Sequence, residues 1–189
     1  MKKFFLFVWE ISKVVVLSLA IILPVRYFLI QPFYVKGASM EPNFHDSEYL
    51  IIDELSYRFK PPTRGQVVVF RYPKNPQEYF IKRVVALPGE KIQIEDGQVM
   101  IYNDEHPEGL ILSEAYLPDD LVTFDSVESL TTIGPDEYYV LGDNRGASKD
   151  SRSFGPVNKS FITGKVLFRG WPFSKITFFG KSHWLNYQQ

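Results

Sequence analysis

Residues 4–30 are strongly apolar, with Glu10, Lys13 and Arg26 as their only charged members, and a stretch of this kind either packs inside protein or leaves water altogether. The uncharged run 14–25 is ~18 Å long as a helix, short of the ~30 Å hydrocarbon layer. Extended to residues 11–30 it reaches about 30 Å, with Lys13 and Arg26 snorkelling towards the two interfaces and Trp9 and Tyr27 at the level of an aromatic belt. This predicts one transmembrane helix. A cleaved signal peptide, with Lys2 and Lys3 as its basic end, is the competing reading. An amphipathic surface helix is disfavoured because the run 14–25 is apolar all round apart from Ser18. Lys2, Lys3 and Lys13 on one side face Arg26 and Lys36 on the other, so charge alone leaves the orientation open.

Of the 189 residues, 45% are hydrophobic, enough for one packed domain after the span. A net charge of -1 and a pI near 6.3 give no support to nucleic-acid binding. The lack of cysteine excludes a disulfide framework, a thiolate nucleophile and a cysteine zinc site. His45, His106 and His183 lie far apart and outside any ligand spacing, which leaves little for a metal site or a Ser-His-Asp triad.

Beyond the span, short runs bounded by Gly, Pro and Asn predict strands at 48–53, 66–72, 78–87, 91–95, 98–102, 137–141, 165–169 and 175–179. Residues 56–64 read as a surface connection and 73–77 as a turn. Val67-Val68-Val69-Phe70 predicts a strand buried on both faces, and Asp96-Gly97 a two-residue hairpin. The expected fold is therefore mostly β. Residues 92–144 carry thirteen acidic residues and no lysine or arginine, which predicts a solvated face. Within them, 103–135 has few strand signals and is expected to be an acidic insertion held away from anionic lipid. Trp171, Phe173, Phe178, Phe179 and Trp184, interspersed with Arg169, Lys175 and Lys181, suit a membrane interface and a protein core equally well.

Three stretches carry chemistry. Gly37-Ala38-Ser39-Met40-Glu41-Pro42 presents a serine between small residues, which let a peptide approach, and a proline, which stiffens the chain behind it. On a strand through Lys82, the neighbours Phe80, Val84 and Ala86 share its face. A lysine in such a dry site loses hydration, its pKa falls from ~10.4 towards ~7 to 8, and the neutral amine can take a proton from a hydroxyl. An exposed lysine guarding a sheet edge is the plain alternative. In the third stretch, residues 142–155, Asp143 or Asp150 pairing with Arg145 or Arg152 would hold a turn, and a serine hydroxyl would orient the lysine.

Taken together, Gly37-x-Ser39-Met40-x-Pro42, Gly65-x-Val67-Val68-Val69-Phe70, Ile81-Lys82-Arg83-Val84 with Leu87-Pro88-Gly89, and the box 142–155 resemble the type I signal peptidases, bacterial membrane-bound serine proteases with a Ser-Lys dyad. The resemblance runs from the apolar segment to about Pro172. It implies an antiparallel β catalytic domain (residues 31–189) behind a short cytoplasmic end and one anchor (residues 1–30), with the catalytic domain outside the cytoplasm. By the same resemblance Ser39 is the nucleophile and Lys82 the base, Ser148 orients the lysine, Asp150 and Arg152 support the site, and Asp143 and Arg145 are structural. Gly37, Ala38, Met40 and Pro42 form the substrate and oxyanion loop. No metal or cofactor is implied. The implied partners are signal-peptide-bearing preproteins with small residues at the first and third positions before the cut, the lipid bilayer, and the secretion translocon as a candidate. Gly37 stands where some members carry a serine that helps the oxyanion hole, Asn43 where threonine is usual, and Gln66 where aspartate is usual. A processing peptidase dedicated to one substrate, a self-cleaving repressor and an inactive scaffolding homologue are the alternatives.

Overall fold

In the computed structural model, which describes residues 2–28, 30–118, 121–124 and 130–180, helix α1 (Lys2–Phe28) carries the apolar segment. Its residues to Leu23 are long and apolar enough to cross a membrane and are exposed. A helix satisfies every backbone group internally, the condition for leaving water. Ile30 does not prolong the helix, as its hydropathy suggested. It opens strand β1 (Ile30–Tyr34), which pairs antiparallel with β2 (Tyr49–Asp53). Pro32 is tolerated because β1 is an edge strand of the sheet.

A four-residue helical turn, α2 (Ser56–Phe59), leads to β3 (Val67–Tyr72) and β4 (Asn75–Ala86). The β3–β4 turn is tighter than residues 73–77, because Tyr72 already pairs with Asn75. β5 (Lys91–Glu95) and β6 (Gln98–Tyr102) form the hairpin that Asp96-Gly97 announces, and Gly97 has φ +80°. β7 (Leu110–Ile111) and β8 (Thr131–Thr132) lie in the expected insertion and extend this hairpin to a four-stranded sheet. β9 (Glu137–Leu141), the short helix α3 (Ser151–Phe154), β10 (Val157–Asn158), the long β11 (Ile162–Trp171) and β12 (Thr177–Phe178) complete the chain. The larger sheet runs β1-β2-β11-β3-β4-β9-β10, with β12 on β11, and all its pairings are antiparallel. The fold is thus mostly antiparallel β behind one apolar helix.

Alternation explains the run Val67-Val68-Val69-Phe70. Val67 and Val69 enter one core with Met40, Phe44, Leu50 and Ile52. Val68 and Phe70 enter another with Val84, Tyr138 and Val140. Each buried side chain of this size stabilises by about 1.5–3 kcal/mol, so β3 is fixed in register from both sides. A third core, around Val85, Ile92, Ile101 and Leu141, joins the smaller sheet to the larger. The aromatic pole divides: Phe179 is buried against Phe44, whereas Trp171, Phe173 and Phe178 are exposed. Trp184 and Lys181 lie outside the described residues.

Candidate active site

Strand β4 changes partners partway along. Tyr79–Lys82 pair with β3 on one edge, and β9 joins the other edge only from Arg83 onward. The edge of residues 79–82 is therefore open, as is the outer edge of β1. Between them lies a cleft of about 600 Å³, lined by residues 33–39 on one side and 78–82 on the other, with Ala147 and Lys149 beside it. Open strand edges offer a row of N–H and C=O groups, and an extended peptide can add to them as a further strand. Phe33 and Tyr79 meet edge-to-face across this cleft, with centroids 5.2 Å apart.

Ser39 sits in a turn tied at both ends. Before it, Gly37 has φ +86°, a conformation side chains resist, and its N–H donates to Asp46 Oδ1 at 2.7 Å. After it, Met40 and Phe44 are both buried in the core with Leu50 and Ile52. Lys82 reaches the turn from β4, with Nζ 2.7 Å from Ser39 Oγ and 2.8 Å from the Ile81 carbonyl oxygen. The residue is only 3% exposed. Burial lowers its pKa from the ordinary 10.5 to about 8, against the opposing pull of the Asp150 and Asp143 carboxylates. As an ammonium it donates to the hydroxyl; as a neutral amine it accepts the hydroxyl proton.

The box after β9 folds over this pair. Asp150 caps α3 and binds Arg152 through both carboxylate oxygens, at 2.8 Å each, while its Oδ2 accepts the Gly142 N–H at 3.0 Å. Burial alone would raise its pKa, but these bonds and the nearby Ser148 hydroxyl leave it lowered. The other two charges pair differently from the sequence expectation. Asp143 binds Arg83, bidentately at 2.6 and 2.8 Å, and not a box arginine. Arg145 binds Glu114, with Thr123 Oγ1 at 2.6 Å and the Tyr116 hydroxyl at 3.1 Å. The reason is strand geometry: Arg83 follows Lys82 on β4, points to the opposite side and meets the end of β9. Asp143 also accepts from Asn43 Nδ2 at 2.9 Å, which ties the serine turn to the same carboxylate.

Ser148 lies beside this network, but the hydrogen bonds of Lys82 run to Ser39 and Ile81. Its enclosed hydroxyl lies near the Asp150 carboxylate without a hydrogen bond in good geometry. A Cβ on Gly142 would collide with Ser148 Oγ and with the Ser39 carbonyl oxygen. Ala38 and Pro42 fall in the serine turn as the spacing requires. Gln66, in place of aspartate, accepts from the Tyr57 hydroxyl at 2.8 Å.

Sequence reasoning missed the support from residues 114–124. Glu114 and Thr123 hold Arg145, the Tyr116 ring lies 3.9 Å from the Arg83 guanidinium, the Tyr116 carbonyl accepts from Asn43, and the Phe124 carbonyl accepts from Arg152. It also missed the buried pair Glu48–Arg169, 2.9 Å apart, whose arginine donates to the Asn43 carbonyl. Glu114 is one carboxylate among the thirteen of residues 92–144 and has no local signature.

A serine hydroxyl in hydrogen-bond contact with a buried lysine, in a cleft walled by two open strand edges, is an arrangement suited to a serine peptidase of mostly β architecture. The chain belongs to the signal peptidase family, peptidase S26, whose model matches residues 8–171. It is 33% identical over 181 residues to signal peptidase IB of Staphylococcus aureus strain MRSA252, covering 90% of this chain and 92% of that one. It is 32% identical over 177 residues to probable signal peptidase I-2 of Synechocystis sp. strain ATCC 27184, covering 88% and 75%. A crystal structure of a signal peptidase I from Enterococcus faecalis V583 aligns with TM-score 0.46 at 30% identity, over 56% of this chain and 97% of that one.

Proposed function

We propose that this protein is a membrane-anchored endopeptidase that removes signal peptides from exported preproteins, with Ser39 as nucleophile and Lys82 as general base. The observation that carries the reading is the 2.7 Å contact between Lys82 Nζ and Ser39 Oγ within the cleft. A preprotein segment lies extended between the open edges of β1 and β4. Neutral Lys82 takes the hydroxyl proton as Ser39 Oγ attacks the scissile carbonyl carbon. The ammonium so formed gives its proton to the leaving amine as the peptide C–N bond breaks, leaving an acyl-enzyme. Lys82 then draws a proton from water as the water oxygen attacks the ester carbonyl carbon, and returns that proton to Ser39 Oγ as the acyl C–O bond breaks. Asp143 and Asp150 keep the ammonium tolerable while burial keeps the amine available.

Residues 1–30 serve as a short cytoplasmic end and anchor, and 31–189 as the extracytoplasmic catalytic domain. With β1 starting at Ile30, Ser39 stays near the membrane surface, where a signal peptide's cleavage region emerges. The bilayer is the anchor's proposed surrounding, and the secretion translocon a candidate partner. The test is cleavage of a purified preprotein in detergent by the wild type, Ser39→Ala and Lys82→Met, with the new N-terminus read by mass spectrometry. A single cut after small residues at the first and third positions is expected, falling by about 10⁴–10⁶ in Ser39→Ala. Near-normal cleavage by either variant removes the dyad mechanism.

A further inference from the structure

The carbonyls on both sides of the nucleophile are held by one residue. Asn144 donates its backbone N–H to the Ser39 carbonyl oxygen at 3.1 Å, and its side-chain Nδ2 donates to the Ala38 carbonyl oxygen, also at 3.1 Å. The peptide between Ala38 and Ser39 is planar and trans, so the Ala38 C=O and the Ser39 N–H point in opposite directions. Fixing the carbonyl from the Asn144 side therefore aims the Ser39 N–H away from Asn144. That N–H donates to no group among the described residues. The Gly37 N–H is already spent on Asp46, and Gly37 has no hydroxyl to offer.

Attack by Ser39 Oγ converts the scissile C=O into C–O⁻ as the hydroxyl proton moves to Lys82 Nζ. The new charge needs a donor whose direction is set in advance. We propose that Asn144 is the residue that sets it: its side-chain amide pins the peptide plane from which the Ser39 N–H reaches the oxyanion. This role rests on Ser39 being the nucleophile. Asn144 touches neither substrate nor reacting atoms, and acts as a positioning residue. Its backbone bond to Ser39 survives side-chain truncation, so the turn stays closed while the plane loses its second tether. The Glu41 N–H, 3.2 Å from the same Ala38 oxygen, keeps part of the restraint.

The experiment compares full-length wild type, Asn144→Ala, Asn144→Asp and Ser39→Ala in detergent. The readouts are kcat and KM on a preprotein, and the affinity of a substrate-like peptide aldehyde, which forms a tetrahedral adduct with a nucleophilic serine. Removing a whole oxyanion donor costs about 10²–10³ in kcat; loosening one is expected to cost about 10–100-fold in Asn144→Ala. KM stays within about twofold, and aldehyde affinity falls in the same proportion as kcat. Asn144→Asp keeps the shape but cannot donate when ionised, and is expected to lose at least as much. It decides the matter on the same readouts if the alanine variant folds poorly. Wild-type kcat in both variants, or a kcat loss without the matching loss of aldehyde affinity, overturns the proposal. Cleavage by Ser39→Ala would place the failure in the nucleophile assignment instead.

Discussion

A lysine held at 3% exposure with its pKa lowered from 10.5 to about 8 is a cost to the folded state, and Lys82→Met measures it. At about 1.4 kcal/mol per pH unit, the lowering corresponds to about 3 kcal/mol of unfavourable charge burial at neutral pH. Methionine has similar length and no charge, but forfeits the bonds to Ser39 Oγ and the Ile81 carbonyl, each a net ~1 kcal/mol. The balance favours the variant by about 1–2 kcal/mol at pH 7, a rise of a few degrees in the thermal midpoint at this chain length. The sign reverses with pH. Between about 8 and 10.5 the unfolded lysine binds a proton that the folded one has released, so wild-type stability climbs through that window and the variant's does not. At about pH 9 the remaining penalty equals the lost hydrogen bonds, and above that Lys82→Met becomes the less stable protein. Thermal unfolding of both full-length proteins in detergent, followed by circular dichroism at pH 7 and pH 10, reads this crossover. Equal midpoints at pH 7, or a gap that does not shrink with pH, would refute the dry-lysine argument.

As the proposed base, the same group is expected to set the pH dependence of turnover. kcat/KM is expected to rise with an apparent pKa near 8, gaining about tenfold from pH 7 to pH 9 as the neutral amine grows from about a tenth of the population; a flat initial-rate profile excludes Lys82 as the base. Gly142→Ala drives a Cβ into Ser148 Oγ and the Ser39 carbonyl, and is expected to lower kcat at least about a hundredfold while the far-ultraviolet spectrum is kept. Wild-type turnover in that variant would show that the two loops are free to part.

Much of this was legible in residue order, for reasons that are local. Val67–Phe70 announced a strand buried on both faces, Asp96-Gly97 a hairpin, and the alternation around Lys82 a lysine among apolar neighbours; all three appear in the structure. What escaped depended on partners far along the chain. Asp143 reaches back sixty residues to Arg83, and Arg145 takes Glu114 from a stretch that looked uniformly solvated. β1 was hidden because Ile30 continues the helix's hydropathy without a polar break. The strands at 165–169 and 78–87 proved longer than their strongest propensity, because pairing with neighbours extends a strand past its most favourable residues.

The turn bearing Ser39 is secured from the far end of the chain. Asn144 grips its two carbonyls, and Arg169, buried against Phe44 and Phe179 and paired with Glu48, holds the Asn43 carbonyl. Synthesis proceeds from the N-terminus, so serine and lysine leave the ribosome long before the residues that arm them. A half-made chain carries Ser39 and Lys82, the proposed nucleophile and base, without the residues that fix the serine turn. The frame around Ser39 is thus completed only once Asn144 and Arg169 have been added.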